Sequence, residues 1–306
     1  MIKGYKLHFT SSVHFGNKRL SDSLVSFHAD TLFSALIIEA IKLKLDFKPL
    51  LENLIISDSF PYIQNNYYLP KAYIPIENKL ENETDYKVFK KLKFIPISLY
   101  QKYLRGLVTA TDAKNITENY NLGEMDTQVK VSLRNLVNNE EHANSEPYFI
   151  GTYTFNSDAG LYFLADSDEQ TLKLLEIILE SLQYSGIGGK RSSGFGQFKF
   201  EVLPISVIEE LEKIKSSSYI LLSGAMANED ELETICKKAR YTLIKRSGFV
   251  QSSTYADQLV KRNDYFVFSS GSIFHTKFSG RIFDLSENGN HPVYRYAKGF
   301  WIGGID

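Results

Sequence analysis

Residues Ser167–Leu203 read SDEQTLKLLEIILESLQYSGIGGKRSSGFGQFKFEVL, and three signals lie end to end in them. Leu172, Leu175, Ile178, Leu179 and Leu182 recur at helical spacing and form one apolar stripe. Ser167 and Gln170 stand at capping-box spacing ahead of it, and Gly186 falls where a C′ glycine ends a helix. Phe198, Phe200 and Val202 then alternate with Gln197, Lys199 and Glu201, the period of a half-buried strand. Between helix and strand lie five of the chain's nineteen glycines, wrapped around Lys190, Arg191, Ser192 and Ser193.

The order helix, loop, strand rules out two familiar glycine loops. A nucleotide-binding P-loop needs strand, loop, helix, so that the helix N-terminus meets the phosphate. Lys190 is also followed by Arg191 rather than Ser or Thr, and a dinucleotide fingerprint would need glycine at 191. What remains is bare backbone at Gly188, Gly189, Gly194 and Gly196, which a ligand's own backbone approaches closely. Successive backbone N–H groups can form an anion nest; Lys190 and Arg191 add charge, and Ser192 and Ser193 add hydroxyl donors. The ligand implied is a chain of phosphates. A tight connection with solvated charges accounts for the glycines alone; the Lys-Arg-Ser-Ser insert favours phosphate contact.

Working outward, Tyr5, Leu7 and Phe9 alternate with Lys6 and His8 in a first strand. A polar, basic loop follows, then Leu32, Phe33, Leu36, Ile37, Ala40 and Ile41 at helical spacing, with Asp30 as the expected N-cap. Residues 60–77 read as strand edges and turns, and 110–147 as a long polar excursion, partly mobile. The segments VKVSLRNLV and PYFIGTYTF flank NNEEHANSE as a protruding hairpin, and AGLYFLA is a strand. The element order matches a βαββαβ unit with a large insertion. After a linker-like LPISVIEELEKIKSSS, a second such unit is expected: strand, helix, strand, a strand pair turning near Ser270–Gly271, and a last strand in HPVYRYAKGFWIG. The fold class expected is α+β: two ferredoxin-like (RRM-like) units, residues 1–204 and 205–306, with a thumb-like insertion around 78–150.

Composition bounds the function. At 306 residues, 43% hydrophobic and 23% charged, the chain has ample material for a core. Its 21 Phe and 19 Tyr favour β-rich structure. A single cysteine, Cys236, excludes a disulfide framework and a cysteine-based zinc cluster, and fits a reducing compartment. No signal-like apolar segment opens the sequence, and no apolar run approaches the roughly 18 residues of a membrane helix, so cytoplasm is the expected location and no membrane partner is expected. The net charge of −1 does not suggest nucleic acid, but between Lys237 and Arg262 seven basic residues face only Asp257.

The glycine-rich stretch SGIGGKRSSGFGQF closely resembles the glycine-rich loop of the RAMP superfamily of CRISPR proteins. The segments VHFGNKRLSDSLVSFHADTLFSALIIEA, SGFVQSS and HPVYRYAKGF are similar to landmarks of the family of subunit four of the type III-A (Csm) interference complex. The likeness covers both ends of the chain and is weakest across 78–147. It implies a non-catalytic RNA-binding subunit that grips the 5′ handle of the CRISPR RNA. It also implies a seat for the large polymerase-like signature subunit, contact with the adjacent RAMP backbone subunit, and a thumb hairpin against the guide.

The RNA-binding residues expected are His14, Phe15, Gly16, Lys18 and Arg19 in the first loop, and Gly188 through Phe195 in the glycine loop. Lys245, Arg246, Ser247, Gly248 and Phe249 repeat the small-plus-basic pattern, and Arg134 and Asn135 sit in the thumb. Phe15, Phe195 and Phe249 are candidates to stack bases, although aromatics more often pack inside. The resemblance implies no catalytic group, no cofactor is expected, and no metal is expected, since NEDELE has the acid density of a solvated helix face and not of a spaced ligand set. The alternative is a metal-independent repeat endoribonuclease of the same superfamily using His14 or His28.

Overall fold

Alternation along β1 (Ile2–Phe9) buries Tyr5, Leu7 and Phe9 on one face. The computed structural model describes residues 1–16, 19–74, 83–131, 147–214, 216–250, 252, 254–256, 258, 260–286 and 289–305, with backbone alone for 83–86. After β1 come a small ribbon, β2 (Phe15–Gly16) and β3 (Ser23–Leu24), then α1 (Ala29–Lys42) and α2 (Lys48–Glu52). Short strands β4 (Ile55–Ile56), β5 (Phe60–Ile63) and β6 (Asn66–Pro70) follow, then α3 (Glu83–Lys91), β7 (Phe94–Pro96), α4 (Ile97–Leu104) and α5 (Ala110–Glu118). The hairpin β8 (Gly123–Val131) and β9 (Pro147–Phe155) leads to β10 (Ala159–Asp166), α6 (Glu169–Ser185) and β11 (Phe198–Val202).

These strands build an antiparallel sheet in the order β11-β1-β10-β5-β6-β7, with β4 also on β10. The central strand β10 is buried on both faces, which is why AGLYFLA carries no polar alternation. Leu161, Phe163 and Ala165 face the apolar layer formed with α1 and α6. Tyr162 and Leu164 face a second layer that includes residues of α4 and α5.

The helix caps differ from their sequence expectations. Asp168, not Ser167, caps α6 by accepting from the Thr171 backbone N–H at 2.8 Å, and the Ser167 hydroxyl is buried without a partner. Helix α1 starts after His28, and its first N–H, at Ala29, donates to Asp58 at 2.8 Å. Asp30 therefore does not cap its own helix. Residues 110–131, expected as a polar excursion, instead form α5 and β8. The Thr109–Asp112 capping box starts that helix despite its polar sequence.

The C-terminal part holds α7 (Ile205–Glu212), β12 (Tyr219–Leu221), α8 (Glu229–Cys236), β13 (Leu243–Arg246), β14 (Tyr265–Phe268), β15 (Ile273–Phe274), β16 (Gly280–Asp284), β17 (Tyr294–Lys298) and β18 (Trp301–Gly303). Helix α7 is no loose linker: Val207, Ile208 and Leu211 are buried in the second layer beside Ile220 and Ile302. Strands β15, β12 and β18 form a sheet, while β13–β14 and β16–β17 are separate ribbons. The expected strand pair across Ser270–Gly271 is split, since β14 pairs with β13 and β15 with β12. The expected last strand is two strands, β17 and β18, in different sheets. Among the described residues no helix is long and apolar enough to cross a membrane.

Candidate nucleic-acid interface

The loop that leaves β1 and the loop that enters β11 are stitched together backbone to backbone. Thr10 N–H donates to Gln197 O at 2.9 Å, Gly196 N–H to Ser12 O at 2.9 Å, and Gly189 N–H to His14 O at 2.8 Å. The glycine loop closes on itself through Ile187 N–H to Gly196 O at 3.0 Å. At that neck a Cβ on Gly196 would stand 2.1 Å from the Ile187 carbonyl oxygen, and its φ is +78°. Glycine is required there on both counts. Farther out, Lys190 takes the left-handed conformation at φ 57°, and Arg191–Ser193 form a single 3-10 turn that ends at Gly194. Ser192, Ser193 and Gly194 are exposed at the tip.

The β8–β9 hairpin lies against this pair of loops. Its base is anchored in the core, where Phe155 stacks on Phe9 at 4.9 Å and Tyr153 forms a bridge with Val13. Burial raises the Tyr153 phenol to about 12. Farther along, Lys190 Nζ sits 5.0 Å over the Tyr148 ring and Lys130 Nζ 5.6 Å over the Phe195 ring. The Arg191 guanidinium keeps one nitrogen, Nη1, buried without a hydrogen-bond partner. Lys130, Lys190 and Arg191 thus gather at one place with an aromatic ring beside them.

His14 locks the arrangement from below. It is buried, and its Nδ1 donates to the Gly151 carbonyl of β9 at 2.6 Å, because a carbonyl oxygen only accepts. Its ring edge lies under the glycine loop, 2.7 Å from where a Cβ on Gly189 would stand. Gly151 N–H in turn takes the Leu20 carbonyl at 3.0 Å, which fixes the first loop to the hairpin.

The expected residues divide accordingly. His14, Gly16 and Gly188 through Phe195 come together, and Arg19 is exposed on the adjoining turn. Phe15 and Phe195 do not present rings to a base. Phe15 packs edge-on against Phe9 and Phe27, and both rings are buried. Phe249 is 45% exposed. Lys18, Arg134 and Asn135 lie outside the described residues.

Lys245–Phe249 belong to a different cluster. Arg246 is not free for a ligand: it binds Asp30 through Nη2 at 2.7 Å and Nε at 3.1 Å. Burial by itself would raise the Asp30 carboxyl, but Arg246 and Arg295 outweigh it and hold the group well below the usual carboxylate range. Lys245 and Lys261 share Asp264, at 2.7 and 3.6 Å, and Lys237 pairs with Glu233 at 3.6 Å. Four of the seven basic residues seen in sequence thus stand in ion pairs. Ser247 and Gly248 follow β13 directly beyond Arg246.

His28, the other histidine candidate, binds Asp58 through Nδ1 at 2.8 Å at the start of α1. Among the described residues no group of three or more His, Cys, Asp or Glu is placed to hold a metal. Tyr148 and Lys130 were not singled out from sequence. Their signal was the alternation of β8 and β9, which turns them toward the glycine loop.

Residues 6–199 match the RAMP superfamily model, and residues 214–304 match the model described as the CRISPR Csm4 C-terminal domain. A CRISPR system Cms protein Csm4 of Mycobacterium tuberculosis is 34% identical over 297 residues, 94% of this chain and 93% of the relative. That of Streptococcus thermophilus is 32% identical over 311 residues, 96% and 97%. In fold, the chain is similar to the crystal structure of a Csm3-Csm4 subcomplex in the type III-A CRISPR-Cas interference complex. That likeness has a TM-score of 0.67 at 20% identity, covering 99% of this chain and 100% of the other. The Csm1-Csm4 cassette in complex with cA4 gives 0.62 at 17% identity, covering 99% and 97%.

Proposed function

The chain belongs to the Csm4 family of the RAMP superfamily, and on that premise we propose that it is a non-catalytic subunit of a type III-A CRISPR effector complex, acting in antiviral defence. In this reading it holds the 5′ handle of the CRISPR RNA on the surface where the two loops meet the β8–β9 hairpin. The observation that carries the reading is the joining of the loops through Gly189 and His14, with Lys190 over Tyr148. Bare backbone, two cations and hydroxyls fit a sugar-phosphate chain, which is bound mostly through its phosphates. The aromatic hairpin supplies the thumb beside the guide.

The partners in this reading are the large polymerase-like signature subunit and the adjacent RAMP backbone subunit, in the cytoplasm. Support comes from relatives of this fold crystallised with Csm1 and with Csm3. We divide the chain at residues 204 and 205, in line with the separate family matches. The order β11-β1-β10-β5, with α1 and α6 on one face, supports a ferredoxin-like first unit. The second unit is read as a reduced version, with the β16–β17 ribbon where its second helix would stand.

Two experiments test the reading. Ultraviolet crosslinking of the assembled complex to handle RNA should label peptides from 188–195 and the β9 segment around Tyr148; labelling confined to other subunits would refute the RNA role. Purified chain in enzyme excess with repeat RNA and EDTA should give no product. Cleavage abolished by His14→Ala or His28→Ala would make the protein an endoribonuclease instead.

A further inference from the structure

The nine-residue strand β8 is paired on one side only. Its ladder with β9 runs without a bulge from Gly123 opposite Phe155 to Val131 opposite Pro147, and no other strand or bridge meets β8 among the described residues. The phase of that ladder is fixed by Asn156 N–H, which donates to Leu122 O at 2.9 Å just before β8 begins. In an antiparallel pair such bonds recur at every second residue. Glu124, Asp126, Gln128 and Lys130 therefore direct their backbone groups to β9. Gly123, Met125, Thr127, Val129 and Val131 turn theirs outward along a free edge. Of these, the Thr127 N–H is held at 2.7 Å by the carboxylate of Asp126, an exposed contact that an incoming carbonyl replaces.

The side chains along this edge suit a second strand. Met125, Val129 and Val131 are exposed on one face, beside the exposed Phe149 of β9 opposite Val129. A long apolar edge with neither proline nor bulge is a template for strand pairing. The sequence of β8, GEMDTQVKV, also complements its own reverse. When two copies run antiparallel about a two-fold axis at Thr127, all nine residues are paired and outward N–H groups face outward C=O groups. Met125 of one copy then lies opposite Val129 of the other, and Glu124 opposite Lys130, each twice. Glu124 has no ion pair within its own chain among the described residues. Sliding the register two residues one way sets Asp126 against Asp126, and sliding it the other way leaves Gly123 and Glu124 unpaired in the strand. We propose that the free chain self-associates as a two-fold dimer through the β8 edges. The dimer needs no RNA, and it stands independently of the glycine-loop reading.

The test is sedimentation of the full chain across a concentration series, before and after nuclease treatment. A reversible monomer–dimer equilibrium is expected in both. Glu124→Lys and Lys130→Glu each set like charges opposite one another twice and should weaken the dimer about tenfold, and the two changes together should restore it. Val129→Pro removes an outward N–H and no bond of the ladder with β9. It should abolish the dimer while the fold, read by circular dichroism, holds. In Thr127→Cys the new thiol faces its own copy at the two-fold axis, with about 5.5 Å between Cα atoms, within reach of a disulfide. Oxidation should link that variant into a dimer, and not the unaltered chain with Cys236. A chain that stays monomeric throughout the series would overturn the proposal. So would a dimer that survives Val129→Pro, or a double charge reversal that fails to restore association. An assembly that nuclease disperses would assign the edge to RNA and equally overturn it.

Discussion

Replacing Gly196 by alanine should open the glycine loop at its neck. The residue sits at φ +78°, and a left-handed alanine costs about 1–2 kcal/mol. The added methyl would also stand 2.1 Å from the Ile187 carbonyl oxygen, a backbone atom that cannot swing aside. Relief requires parting the neck and giving up the Ile187–Gly196 and Gly196–Ser12 hydrogen bonds. At about 1 kcal/mol net each, these bring the total to about 3–4 kcal/mol. Gly194 is the internal control. Its φ is +84°, yet a Cβ there meets nothing within 4 Å, so only the conformational part applies, about 1–2 kcal/mol. Urea unfolding of the two variants should therefore differ by about 2 kcal/mol, a readable share of a domain's 5–15 kcal/mol. Handle-RNA affinity should also fall with Gly196→Ala, because the loop loses its shape. Equal destabilisation by the two changes, or a neutral Gly196→Ala, would refute the claim that the neck is set by backbone contact.

Two further outcomes follow from burial. Phe195→Ala should cost about 3–5 kcal/mol because the ring is core, whereas Phe249→Ala should stay within about 0.5 kcal/mol; chemical denaturation separates them. Asp30→Ala strands Arg246 and Arg295 and should cost about 3–5 kcal/mol. The folded Asp30 carboxyl lies below its unfolded value, so its contribution is complete above about pH 4 and drains away as pH falls further. Acid titration of stability should therefore be shallower in Asp30→Asn than in the unaltered protein.

The parts of the fold legible in sequence are those specified locally. The stripe of α6, the alternation of β1 and the stop at Gly186 need only neighbouring residues, and each is present; in β11 the alternation holds at Phe198 and Phe200, while Val202 is exposed. What escaped depends on distant partners. Asp30 looks like an N-cap until Arg246 and Arg295 arrive from 216 and 265 residues away. Residues 205–212 look like a linker because the apolar face they cover belongs to the rest of the chain. Tyr148 reads as one aromatic among nineteen tyrosines until the hairpin register turns it toward Lys190.

The central claim is that the glycine loop grips RNA phosphates, and the salt dependence of handle-RNA affinity tests it most directly. Each phosphate neutralised on a single strand adds about 0.7 to the slope of log affinity against log salt. If Lys190 and Arg191 each meet one phosphate, Lys190→Ala with Arg191→Ala should weaken binding and flatten the slope by about 1.4. An unchanged slope and affinity in the double variant would contradict the account.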